Sequence, residues 1–187
     1  MPRDGRVVRR RLEEAALELF TEHGFGHTTT EQIATRAGVT ERTFFRHFPD
    51  KREVLFASED ELRDVTAAAL AAAPRGLKPL PTLRAAFHDM VPLLERNRPL
   101  AALRAPIIAT SDALLEREHA KTAALTDLVA HALQEQGTPT LDALLAARVG
   151  MAAFATAIRL WSTTPDGDLH REVDSMFAHL RTMSSTL

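Results

Sequence analysis

The sequence predicts an all-α protein in two parts, a three-helix N-terminal bundle with a helix-turn-helix and a larger helical C-terminal part. Three observations predict it. Apolar residues recur at three- and four-residue intervals along most of the 187 residues, with no alternating strand pattern and no repeat. Glycines, prolines and capping residues cut that pattern into helix-length pieces. Between Thr28 and Lys51, two short amphipathic pieces flank a single glycine.

The elements follow in order. Leu12, Ala15, Ala16, Leu19 and Phe20 keep helical spacing, which predicts a helix from about Arg6 to His23 that stops at Gly24. Thr29 is a good N-cap, and Gln32, three residues on, can reach back to its N–H, so a capping box opens the next helix. Ile33, Ala34 and Ala37 give that helix its apolar side. Gly38 can take the left-handed conformation that ends it, and Thr40 can cap a further helix starting at Glu41. There Phe44 and Phe48, four residues apart, share a buried side, whereas Glu41, Arg42 and Arg46 point elsewhere. Asp50 is another cap, with Glu53 three residues later, and a long helix is expected from Arg52 to Ala73.

A Pro- and Gly-rich loop, Pro74 to Pro81, follows. Pro92 and Pro106 fall among apolar helical positions, where each removes a backbone donor and is expected to kink or end its helix. Ser111 to Gln136 reads as one long helix ended by Gly137. Leu141 to Trp161 and Asp168 to Leu180 read as two more, and the short turn between them makes them antiparallel neighbours.

Composition narrows the functional classes. With no Cys there is no disulfide frame, thiolate zinc site or cysteine nucleophile, and a cytoplasmic location is the expectation. The basic start, Met1 to Arg11, lacks the apolar run of a signal peptide. No uninterrupted stretch approaches the roughly 18 apolar residues of a membrane span, so no membrane partner is expected. The formal charge of -2 is uneven: Met1 to Arg52 holds 10 Lys and Arg against 8 Asp and Glu, and the remainder 13 against 17. Arg3, Arg6, Arg9, Arg10 and Arg11 could form an arm for DNA phosphates or a minor groove.

The run Ile33-Ala34, Ala37-Gly38-Val39-Thr40, Thr43-Phe44, His47-Phe48 and Lys51 resembles the DNA-binding domain of the TetR family of one-component transcriptional regulators, closely over the first 55 residues or so. The resemblance implies a helix-turn-helix domain at 1–52 and a helical effector-binding and dimerisation domain at 53–187. It also implies a double-stranded operator, a small-molecule effector and a homodimer as partners, with ligand binding moving the Arg52 to Ala73 helix. Thr29, Thr30, Glu41, Arg42, Thr43, Phe45, Arg46, His47 and Lys51 are the candidate DNA contacts. Glu41, Arg42 and Thr43 stand in the first turn of the reading helix, and a guanidinium such as Arg42 can donate two bonds to guanine. Lys51, at the start of a helix, suits a phosphate. Phe45 occupies a position where the family commonly has tyrosine, and its ring can only pack or touch a sugar.

Candidate pocket residues are Phe87, Met90, Leu94, Leu103, Arg104, Ile107, Ile108, Phe154 and Trp161, an apolar set that core packing would explain as well. A fainter resemblance of the C-terminal part to regulators with acyl-CoA-like ligands implies a hydrophobic or acyl-like effector. Arg104, Arg148 or Arg159 would then meet its anionic head group, or otherwise serve as salt-bridge partners. Ala146, Gly150, Ala153 and Ala157 form a stripe of small residues that fits close packing within a subunit or between two. The family's habit of pairing its last two long helices favours the dimer, with Met176 and Leu180 on the last helix.

No catalytic residue, cofactor site or metal site is expected. Glu116 and His119 form a lone E-x-x-H, whereas a di-iron centre needs two with two further glutamates. No phosphate loop or nucleophile motif appears. The expected function is a DNA-binding, ligand-released repressor; the alternatives are a helical-bundle enzyme or carrier, and a DNA-binding regulator without ligand.

Overall fold

The computed structural model describes residues 2–164 and 166–184. Its helices are α1 (Pro2–His23), α2 (Thr30–Arg36), α3 (Glu41–His47), α4 (Lys51–Val54), α5 (Glu59–Ala72), α6 (Pro79–Ile108), α7 (Asp112–Glu135), α8 (Thr140–Thr163) and α9 (Leu169–Ser184). No strand occurs among the described residues. The fold is all-α, as the periodicity predicts.

The chain divides into two compact units. The head comprises the chain up to Glu59 together with Pro99–His119, and the body comprises Asp60–Arg98 and the chain from Ala120 onward. The end of α6 and the start of α7 therefore belong to the head. In its core, Leu12, Ala16 and Phe20 of α1 meet Ile33 of α2, Phe44 of α3, Phe48, Val54, Ile108 of α6 and Leu114 of α7. The body core joins Leu70 of α5, Leu83, Phe87 and Met90 of α6, Val129 and Leu133 of α7, Ala147 and Phe154 of α8, and Val173 of α9. Phe87 stacks on Phe154, with ring centroids 4.1 Å apart.

Two helices depart from the expected boundaries. The helix expected from Arg52 to Ala73 is broken after Val54: the N–H groups of Leu55, Phe56 and Ala57 bond to carbonyls three residues back, and α5 starts only at Glu59. Outside donors favour this tight turn, because Arg104 takes the carbonyl of Leu55 and Arg9 that of Ala57.

The second departure is α6, which runs unbroken from Pro79 to Ile108 through Pro92 and Pro106. Pro92, Pro99 and Pro106 are spaced by seven residues, so they share one side of the helix, and all three are exposed. The carbonyls they leave without helical partners lie on the watery side, where solvent satisfies them.

α8 is long and apolar enough, by length and composition, to cross a membrane. Burial in the body accounts for much of that character: Ala143, Ala146, Ala147, Gly150, Met151, Ala153, Phe154, Ala157 and Trp161 all face inward.

Candidate nucleic-acid interface

Side chains hold each bend of the helix-turn-helix. The hydroxyl of Thr29 accepts from the N–H of Gln32 at 3.2 Å, and the Gln32 side chain accepts from the N–H of Thr29 at 2.9 Å, which completes the expected capping box. Thr40 accepts from the N–H of Thr43 at 3.2 Å, and the two hydroxyls share a bond of 3.0 Å. Gly38 has φ +68, and a Cβ there would lie 2.8 Å from a nitrogen of Arg11. That guanidinium donates to the carbonyl of Ala37 at 2.5 Å. A side chain at 38 would strain the turn and displace Arg11 together.

Two residues of the expected basic arm, Arg9 and Arg11, are instead part of this scaffold. Arg9 donates to the carbonyls of His47 at 2.9 Å and Ala57 at 3.0 Å, and its guanidinium lies 4.4 Å from the Phe48 ring centroid. Arg10 pairs with Glu14, and Arg6 is exposed. The side chain of Arg3 lies outside the described residues.

Lys51 is likewise turned inward. Its ammonium donates to the carbonyls of Phe25 at 2.7 Å, Thr28 at 2.8 Å and Gly26 at 3.4 Å, and it lies 4.7 Å from the Phe25 ring centroid. An ammonium has three donors, so this geometry ties the α1–α2 loop to the start of α4 and leaves little for a phosphate.

Glu41 accepts from the Thr30 hydroxyl at 2.5 Å, which joins the N-terminus of α3 to that of α2. His47 is half-buried, and its Nε2 is buried with no hydrogen-bond partner among the described residues. Burial first, and then the charges of Arg46 and Arg9, hold its pKa below the ordinary histidine value, so the neutral ring is favoured.

Arg42, Phe45 and Arg46 remain. All three are exposed on the outward side of α3, and neither arginine makes a hydrogen bond or ion pair with another described residue. The structure therefore divides the nine candidate contacts. Thr29, Thr43 and Lys51 shape the reader, Thr30 and Glu41 bind each other, and His47 supplies a carbonyl to Arg9. Arg42, Phe45 and Arg46 are left to face outward.

Sequence reasoning missed Arg9, Arg11 and Arg117 as anchors. Arg117 of α7 donates to Glu59 at 2.6 Å, lies 3.4 Å from Glu53 and sits 4.9 Å from the Phe56 ring centroid. These partners stand 26 to 64 residues apart in the chain, and no local pattern marks them.

The nine pocket candidates fall into separate clusters. Phe87, Met90, Leu94, Phe154 and Trp161 pack in the body, with Phe87 and Met90 fully buried. Ile107 and Ile108 pack in the head core, Leu103 is exposed, and Arg104 reaches the carbonyl of Leu55 at 3.4 Å and Glu118 at 3.9 Å. The body also has a groove of about 610 Å³ lined by none of these nine, between Ala67, Ala71 and Ala73 on one side and Leu128, His131, Ala132 and Glu135 on the other, with Arg75 and Leu77 at its edge.

The small-residue stripe faces the interior of its own body. Ala146, Gly150, Ala153 and Ala157 are all buried, and a Cβ on Gly150 would lie 2.5 Å from a methyl of Leu83. The side of α8 left open is larger and mainly aliphatic: Leu141, Leu144, Leu145, Val149 and Leu160 are exposed, with Asp142, Arg148 and Arg159 among them. Met176 and Leu180 of α9 are half-buried, and Met183 is exposed. Elsewhere in the body, His88 of α6 bonds to His170 of α9 at 2.7 Å and to Asp174 at 2.8 Å, and Asp174 also accepts from Arg84. Hydrogen bonding from Arg84 holds the Asp174 carboxyl below the usual carboxylate range.

Two capped seven-residue helices joined at a left-handed glycine, with an unpaired cationic side on the second, define a helix-turn-helix protein. Residues 12–58 match the family described as "Bacterial regulatory proteins, tetR family". The chain is 44% identical over 86 residues to the HTH-type transcriptional regulator TcmR of Streptomyces glaucescens, a stretch covering 46% of this chain and 38% of TcmR. The chain thus spans well under two thirds of the length of that curated relative. Among solved structures it is similar to the SmeT–triclosan complex, with 27% identity, a TM-score of 0.61 and coverage of 92% of this chain and 90% of the other. It is also similar to Thermus thermophilus FadR, a TetR-family repressor in complex with lauroyl-CoA, with 29% identity, a TM-score of 0.56 and coverage of 92% and 93%. Residues 12–58 therefore carry the N-terminal domain of the TetR family, and the chain as a whole is similar in fold to these TetR-type structures.

Proposed function

We propose that this protein is a cytoplasmic, homodimeric repressor that occupies a palindromic operator and releases it when a small, largely apolar effector enters the body. The observation that carries the reading is the outward side of α3, where Arg42, Phe45 and Arg46 stand exposed on a helix whose last carbonyl is held by Arg9, while Arg11 holds the turn before it and Lys51 the α1–α2 loop. A scaffold that satisfies its own turns while leaving two guanidinium groups unpaired suits base edges and phosphates.

The open aliphatic side of α8, with Met176, Leu180 and Met183 of α9, is the surface that a second copy would cover. Two reading helices could then engage half-sites about 34 to 36 Å apart. In this reading residues 1–52 read DNA, and the remainder binds effector and partner.

The effector would enter at the groove of about 610 Å³, a size that suits a small molecule, and reach toward Phe87, Met90, Leu94, Phe154 and Trp161. The neighbours in complex with triclosan and lauroyl-CoA support an apolar or acyl-bearing compound. Helices α6 and α7 each have residues in both units. A ligand preferring one arrangement of their body segments would bias the head through Arg104 and Arg117, which hold Leu55, Glu53 and Glu59.

The test has two stages. Selection from a random-sequence duplex library should enrich an inverted repeat. Triclosan and lauroyl-CoA, added separately to the selected complex, should reveal whether either releases it. Failure to enrich any sequence would overturn the DNA reading, and a complex indifferent to both probes and to a wider apolar panel would overturn the effector reading.

A further inference from the structure

Phe45 is 51% exposed. A single exposed apolar side chain is ordinary on a protein surface, so its position has to carry the argument. It stands on the outward side of the seven-residue helix α3, three residues after Arg42 and next to Arg46. Its ring meets that of Phe44 edge-on, with centroids 5.5 Å apart and planes at 88°. Phe44 is fully buried and packs in turn on Phe48 at 5.7 Å, so the exposed ring has a rigid base in the head core. The ring also lacks any polar atom and cannot bond to a phosphate. What it offers is a fixed apolar surface between two unpaired cations.

The major groove presents a small apolar feature of its own, the C5-methyl of thymine, set among base acceptors and flanked by phosphates. We propose that Phe45 is a specificity-determining residue that packs on a thymine methyl and selects thymine over cytosine at one step of each half-site. Arg42 and Arg46 supply the matching charge on either side, to guanine acceptors or to the backbone. The inference rests on the DNA-binding reading above and goes beyond it by assigning a base to a ring.

The test uses the full-length protein and the duplex enriched from a random library, with each thymine of one half-site replaced in turn by deoxyuridine. Uracil keeps the hydrogen-bonding pattern and loses only the methyl. One replacement should weaken wild-type binding about fourfold, the value expected for one buried methyl group, and the others should have little effect. In Phe45→Ala that replacement should make no difference, and in Phe45→Leu the penalty should persist in reduced form, which separates lost contact from a damaged head. A duplex that wild type binds with indifference to every deoxyuridine, or a penalty unchanged in Phe45→Ala, overturns the proposal while leaving the DNA reading intact. A library that yields no enriched duplex overturns both.

Discussion

The outward sides of α3 and α8 are both open, and they differ in apolar content. On α3 Arg42, Phe45 and Arg46 are exposed together with Glu41, whereas on α8 the exposed residues are mostly aliphatic, with Leu141 67% and Leu145 54% exposed beside Arg148 and Arg159. Behind α3, charged side chains hold backbone: Arg9, Arg11 and Lys51 all donate to carbonyls. Behind α8, packing does most of the holding, through the Phe87–Phe154 stack and the fit of Leu83 against Gly150, and Arg98 donates to the carbonyls of Trp161 and Thr164 only at its end. A short reading helix has little apolar area with which to fix itself, so directed bonds set its orientation. A long core helix buries enough surface to need such bonds only at its end.

That contrast can be broken from either side. The largest expected effect is in the body: Phe87→Ala removes a fully buried stacked ring and should destabilise by about 3 to 5 kcal/mol, read from urea denaturation. In the head, Lys51→Met keeps much of the aliphatic stem but leaves the carbonyls of Phe25 and Thr28 without their donor. A loss of about 1.5 to 3 kcal/mol is expected from charged hydrogen bonds of this kind, and DNA affinity should fall with it. If Lys51→Met instead lowers DNA affinity at unchanged stability, Lys51 contacts phosphate directly and its assignment to the scaffold fails.

On the α8 side, Leu145→Glu should shift the protein from dimer to monomer in light scattering while helix content stays constant. A charge buried in an apolar interface without a partner is strongly unfavourable. A protein that is monomeric before substitution would remove the dimer from the account.

The smallest effects are pH-dependent and differ in sign between groups. Asp174 has its folded pKa lowered, chiefly by its bond from Arg84, so its stabilising contribution is present above the unfolded value near 3.8 and is lost as pH falls through the folded one. Asp174→Asn should therefore flatten the acid side of the stability curve. Burial raises the Glu13 pKa against the opposing pull of Arg104, Arg9 and Arg10. Its contribution is full below the unfolded value near 4.5 and is lost as pH rises through the folded value, so Glu13→Gln should raise the melting temperature at pH 7 and leave it nearly unchanged at pH 4.

Local chemistry made the head legible in the sequence. Thr29 with Gln32, Gly38, Thr40 and Asp50 each act within three residues of themselves, and all take the predicted roles. Whatever depends on partners far along the chain was hidden. The basic residues near the start read as an arm because nothing local marks the carbonyls that Arg9 and Arg11 meet 26 to 48 residues away. The break after Val54 depends on Arg104, 49 residues from the carbonyl of Leu55. The small-residue stripe was visible as a pattern, but its direction was not, since spacing alone does not show that Leu83 of another helix fills the space beside Gly150. Pro92 and Pro106 misled for a related reason: their cost depends on which side of the helix they occupy, and that side faces water.

The most direct test of the central claim is the fluorescence anisotropy of the full-length protein with its selected duplex and with a scrambled one, over a salt series, for wild type and Arg42→Ala. The account predicts a preference of about a thousandfold or more for the selected duplex at physiological salt. It also predicts a loss of about 1 to 3 kcal/mol of that discrimination in Arg42→Ala. Equal affinity of the wild type for both duplexes, or a preference untouched by the loss of Arg42, would contradict it.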